Sequence, residues 1–166
     1  DALAAFVELH PGIQLELDLS PRRVDLLGEG FDLAIRVGEL ASDSLLAARR
    51  LSSLSTGLYA SPAYLAEHGE PRGPEELMQH RSVRLLGGHG DPVPWVLTNG
   101  DERWEGVPPG RVTANSPEFL IRILGAGAGI AAVPDDFAKG FVRDGRLRRV
   151  LPARSEEHTS ELQSQR

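Results

Sequence analysis

Leu3, Phe6 and Val7 recur at helical spacing, so the chain opens on an amphipathic helix over residues 1–9. His10-Pro11-Gly12 is a turn signal that stops it. Residues 13–19, IQLELDL, alternate strictly between apolar and polar, the period of a strand with one buried face. Ser20-Pro21 reads as a cap and first residue of a short helix through Val24, Leu26 and Leu27, which ends at Gly28 and Gly30. Residues 31–37, FDLAIRV, form a further strand closed by Gly38. Strand, helix and strand in such a short span predict a βαβ unit with its two strands parallel.

The pattern continues without repeat or linker. Strands are expected over 45–51 and 56–60 around a turn at Ser52-Ser53, then a helix capped by Ser61-Pro62 and another opened by Pro74. Residues 83–86 form a short strand, and 87–94 a loop rich in Gly and Pro. Asn99-Gly100-Asp101 lies between two alternating runs and predicts a hairpin, with Trp95 and Trp104 as cross-strand partners. A strand at 111–114 leads through Asn115-Ser116-Pro117-Glu118 into a helix with apolar positions Phe119, Leu120, Ile123 and Leu124. Gly125, Gly127 and Gly129 then end the helix. They follow a helix and precede a strand, the reverse of a dinucleotide-binding turn, so they read as a cap and tight turn. A buried strand at 130–133, a helix at 135–142 and a strand at 146–151 complete the order.

Composition narrows the chemistry. The 166 residues are 40% hydrophobic but only 5% aromatic, so the core is aliphatic. Cysteine is absent, which removes disulfides, thiolate metal sites and thiol catalysis. The net charge of −6 and the lack of a basic run give no footprint for a phosphate backbone, so DNA binding would fall to another segment. The five histidines have no metal-ligand spacing, and His10 and His68 sit at helix C-ends. No nucleophile–base set or cofactor loop appears, so the reading is a protein that is not an enzyme, with no cofactor and no metal. Asp135-Asp136 reads as first-turn acidity of a helix, and Ser61-Pro62 lacks a nucleophile elbow. No signal peptide or membrane span is visible, which fits a cytoplasmic location. Residues 154–166 are polar and without period. They resemble a translated sequencing-library adapter, and a disordered tail is expected there.

Four segments in order resemble LysR-type transcription regulators. FVELHPGIQLELDLSPRRVDLLGEGFDLAIRVG (6–38) is similar to the first regulatory lobe, and LYASPAYLAEHGEPRGPEEL (58–77) to the crossing into the second lobe and its first helices. GRVTANSPEFLIRILGAGAGIAAVP (110–134) resembles the second lobe's return, and GRLRRVLP (145–152) the closing strand. The resemblance implies an α/β fold of two Rossmann-like lobes joined by two crossing strands, like the type II periplasmic binding proteins. Lobe one would be 1–57 plus 135–153, and lobe two 58–134. The crossings would involve Tyr59, Ala60 and Ser61 and, on the return, Ala132, Val133 and Pro134. It also implies a small-molecule effector in the interlobe cleft, a homodimer, and DNA contact only through a winged helix-turn-helix that these residues do not include. The first strand of lobe one is expected to precede Asp1, which would leave residues 13–19 as an unpaired edge.

Within that frame two places are candidates for the effector. Asn115, Ser116 and Pro117 start a helix, where free N–H groups and the dipole favour a carboxylate; an ordinary N-cap is the other reading. Arg36, Val37 and Gly38 end a strand, and ligands of open α/β sheets bind beyond strand carboxyl ends. Arg36 would pair with an anionic effector, such as an organic or aromatic carboxylate, or serve as a surface arginine on the face opposite Leu33, Ile35 and Val37. A solute-binding protein of a transporter is the alternative on the same fold, and a small α/β enzyme a third class.

Overall fold

The computed structural model describes residues 2–20, 22, 25–26, 28–37, 47–87, 90–154 and 156–164. Its axis is one long strand. After helix α1 (Ala2–Leu9) and strand β1 (Leu33–Val37), β2 runs over Ala47–Ala60. Then come α2 (Pro62–His68), a 3-10 helix (Pro74–Gln79), β3 (Val83–Leu85), the hairpin β4 (Trp95–Asn99) and β5 (Glu102–Gly106), β6 (Val112–Ala114) and α3 (Pro117–Gly125). The chain closes with β7 (Ile130–Pro134), α4 (Asp135–Arg143), β8 (Arg148–Val150) and β9 (Glu156–Ser164).

The main sheet has the order β1-β9-β2-β7, with β8 also against β2. All these pairings are antiparallel. β9 pairs with residues 47–56 of β2, and β7 and β8 take the end of that strand. A second, parallel pair, β3 and β6, is tied to β7 by a bridge between Ser82 and Ile130. The hairpin register Asn99↔Glu102 leaves Gly100-Asp101 as its two-residue loop, with Gly100 at φ +59 where an L side chain is disfavoured.

Alternation along β2 and β7 divides the core in two. Leu58, Ala60 and Ile130 face one side and pack with Tyr64 and Leu65 of α2, Leu77, Trp95, Leu97 and Val150. Tyr59, Ala131 and Val133 face the other and pack with Val83, with Leu120, Ile121 and Leu124 of α3, and with Ala138 and Leu147. Residues 56–60 of β2 and the strand β7 are therefore covered on both faces, which explains the continuous apolar runs at 58–60 and 130–133. Truncating a fully buried member such as Leu58 or Leu120 is expected to cost about 2–5 kcal/mol.

Several expectations need correction. Residues 13–19 form no strand. Ile13, Leu15, Leu17 and Leu19 are exposed, because no neighbouring strand among the described residues supplies the hydrogen bonds that alternation alone cannot. β1 does not join them in a parallel unit; it pairs antiparallel with β9. Its more covered residues are Ala34 and Arg36, while Leu33, Ile35 and Val37 are exposed, the reverse of the expected facing. Pro21, Val24, Leu27, Gly38 and residues 45–46 lie outside the described residues. The strands expected around Ser52-Ser53 are one, since a register shift between Arg50 and Ser52 absorbs the irregularity as a bulge at Leu51. The tail is not unstructured in this fold: residues 156–164 form β9, held between β1 and β2 by backbone pairing. Trp95 faces Gly106 and Leu97 faces Trp104, so the tryptophans are diagonal rather than opposite. The indole of Trp104 lies over Gly106, where an added Cβ would come within 2.7 Å of the ring. In α3 the inward face is Leu120, Ile121 and Leu124, and Phe119 is exposed.

Candidate functional site

The expected crossing segments meet each other. β2 and β7 pair from Thr56↔Pro134 to Ala60↔Ile130, which brings Tyr59 and Ala60 beside Ala132, Val133 and Pro134. Ser61 follows directly and is used locally: its side chain accepts the Tyr64 N–H and caps α2. Since α4 begins as soon as β7 ends, the first acid of that helix lies over the end of β2.

That acid, Asp135, is the hub of a polar cluster. The Tyr59 hydroxyl donates to its Oδ1 at 2.7 Å, and the Ser55 hydroxyl to its Oδ2 at 2.9 Å. Arg149 of β8 donates to Oδ2 at 3.2 Å, so one carboxylate joins β2, α4 and β8. Gly57 permits this, because a Cβ there would come within 2.8 Å of Asp135 Oδ1 and 3.0 Å of the Arg149 guanidinium. Burial pushes the Tyr59 phenol well above its ordinary range; the hydrogen bond and charge of Asp135 add to this and Arg149 opposes it. Asp135 was legible as first-turn acidity. The missing information was register: only the pairing of Thr56 with Pro134 shows that Tyr59 and Ser55 reach it.

The two effector candidates occupy different elements. Arg36 and Val37 end β1, with Arg36 opposite Glu161 and half-buried, and Val37 opposite Ser160 and exposed. Gly38 lies outside the described residues. Asn115 is exposed after β6, and Pro117 is the first residue of α3. Ser116 has the N-cap role, its hydroxyl accepting the Phe119 N–H at 3.3 Å. No strand pairing joins β1 to the β3–β6 sheet that leads into α3.

A second cluster surrounds Tyr64. Its ring stacks on His68 at 4.4 Å, and its hydroxyl is 3.2 Å from His80 Nδ1 while accepting the Arg81 N–H at 3.0 Å. The phenol proton is thereby directed to His80. His68 Nδ1 lies 3.2 Å from the Tyr64 carbonyl, so that nitrogen donates and Nε2 is left to accept from the Arg81 guanidinium. His80 is held below its ordinary pKa by burial first and by His68 second, with Glu76 opposing. Among the described residues no group of three or more His, Cys, Asp or Glu side chains is arranged to hold a metal ion. No helix of the described residues is long and apolar enough to cross a membrane.

A family model described as the LysR substrate binding domain matches residues 1–162. An HTH-type transcriptional regulator of Xanthomonas campestris pv. campestris is 40% identical over 152 residues, which are 90% of this chain and 44% of that protein. Among solved structures, full-length AphB, described as a virulence activator of Vibrio cholerae and a member of the LTTR family, aligns with a TM-score of 0.84 at 31% identity. That match covers 99% of this chain and 56% of AphB. CrgA, a LysR-type transcriptional regulator from Neisseria meningitidis, aligns with a TM-score of 0.79 at 32% identity, covering 98% of this chain and 55% of CrgA. The chain spans about half the length of the regulators it matches. The fold is the two-lobe, type II periplasmic-binding-protein-like α/β fold. The relatives named are regulators, and the transporter alternative finds no support in them.

Proposed function

The chain belongs to the LysR substrate-binding domain family, and on that premise we propose that it senses a small organic or aromatic carboxylate in a cleft between its two lobes. We assign residues 1–57 with 135–153 to one lobe and 58–134 to the other. The observation that best supports a hinged cleft is the hydrogen-bonded pairing of the crossing segments, residues 56–60 with 130–134. Two strands paired side by side allow the lobes to bend about them while the crossing itself stays intact. A ligand that binds one lobe angle better than another shifts the population toward it, by no more than its differential affinity. The readout on DNA belongs to a helix-turn-helix in the part of the regulators' length that this chain does not match, acting from the cytoplasm as a homodimer.

Asn115 and Ser116 at the start of α3, with Pro117 behind them, and Arg36, Val37 and Gly38 at the end of β1 are the contacts we assign to the effector. A thermal-shift screen of carboxylates tests this. A ligand of the cleft raises the midpoint with concentration as binding to the folded state requires. Asn115→Ala and Arg36→Ala should each weaken that response about tenfold, equivalent to ~1.4 kcal/mol. A carboxylate whose response survives both substitutions would overturn the assignment.

A further inference from the structure

We propose that the amino-terminal end of the β3–β6 sheet is a binding site for a doubly charged oxyanion of the phosphate type, separate from the effector cleft. Parallel pairing of Val83 with Val112 places Arg81, two residues before β3, and Arg111, one residue before β6, at the same end of two neighbouring strands. A cavity of about 320 Å³ lies there, lined by Gln79, His80, Arg81, Pro109, Gly110 and Arg111, with no carboxylate in its wall.

The loop that carries Arg111 is fixed. Ser82 donates its backbone N–H to the Pro109 carbonyl at 2.8 Å and its hydroxyl to the Pro108 carbonyl at 2.7 Å. Gly110 presses on Ser82 so closely that a Cβ would fall 2.1 Å from the Ser82 carbonyl oxygen. Arg84 donates to the Gly110 carbonyl at 2.8 Å from the other side. The arginine positions therefore rest on strand pairing and buried hydrogen bonds, not on a free loop.

The charges are also available. Arg111 is exposed and has no hydrogen bond or ion pair among the described residues. Among the described residues the Arg81 guanidinium meets Nε2 of His68 and the face of Tyr64, and no carboxylate. Of the nearby acids, Glu76 accepts the Arg72 N–H and Glu67 lies against His68. Two guanidinium groups beside Gln79 and His80 offer donors in fork geometry, which suits a tetrahedral oxyanion. Asn115 follows the opposite end of β6, so the effector assignment and this one are structurally independent.

Backbone amide shifts of the whole chain, followed as sulfate, inorganic phosphate or methyl phosphate replaces chloride at constant ionic strength, test the site. Saturable shifts at residues 79–82 and 109–112 are expected, with half-saturation in the millimolar range. Arg111→Ala should weaken binding at least tenfold, while Arg103→Ala on the hairpin should not change it. Equal binding of methyl phosphate identifies the terminal phosphate of a larger metabolite as the ligand class; binding of sulfate and inorganic phosphate without methyl phosphate identifies the free anion. Shifts that rise linearly without saturating, or saturation unchanged in Arg111→Ala, would overturn the proposal.

Discussion

At the scale of single residues, the two polar clusters make separate claims. Asp135 accepts from Tyr59, Ser55 and Arg149 at once, so Asp135→Ala leaves a phenol and a guanidinium without their acceptor. A loss of about 1–3 kcal/mol in urea unfolding is expected. Tyr59→Phe should cost less, and the double variant less than the sum, since the groups share one carboxylate. His80 carries the pH prediction. Its folded-state pKa lies below the unfolded value near 6.5, so the unfolded chain binds more protons between those two values. This contribution to stability is complete above about pH 6.5 and is lost as the pH falls through the folded pKa. The groups facing His80 are Tyr64, His68, Glu76 and Arg81. Thermal midpoints should fall on acidification, and His80→Gln should reduce that fall; an identical pH profile in the variant would refute the account. Roles such as the Ser116 cap were legible because they depend on adjacent residues. The Asp135 hub was not, because Ser55 and Tyr59 lie 80 and 76 residues away from it in sequence.

At the scale of elements, local pattern succeeded where the partner was close. The helices at 62–68 and 117–125 carry the Ser-Pro starts expected of them, and the hairpin at 95–106 follows its turn residues. It failed where the partner was distant or absent: residues 13–19 have the period of a strand and no pairing partner among the described residues. The opposite failure is β9, a polar run with one apolar residue, Leu162, which enters the sheet through its backbone. A chain ending at Arg154 keeps the Arg154–Glu102 ion pair and both clusters of core residues described above. Its melting midpoint should stay within about 4 °C of the full chain's, the shift that ~1 kcal/mol gives at this size. Amide exchange at 33–37 and 47–55 should become fast, since those residues lose their partner strand. A collapse of the whole melting transition would show that β9 supports the core.

At the scale of the molecule, burial is unevenly distributed. Among the described residues before Thr56, Leu26 is the one buried hydrophobic, whereas residues 56–150 hold the rest of the core. The family and two-lobe fold were legible because four segments appear in order, and a resemblance of order survives the loss of any one pairing. The antiparallel setting of β1 was not, because it depends on which strand lies beside it.

The double-sided burial of residues 56–60 in β2 has a consequence for how this protein can vary. Leu58 and Tyr59 belong to different interiors, so one codon inserted or deleted between Thr56 and Ala60 would exchange them, driving the phenol into the cluster of Leu65, Leu77 and Trp95 and parting it from Asp135. Length at this point is therefore more constrained than identity: a conservative replacement disturbs one interior, a frame-preserving indel both.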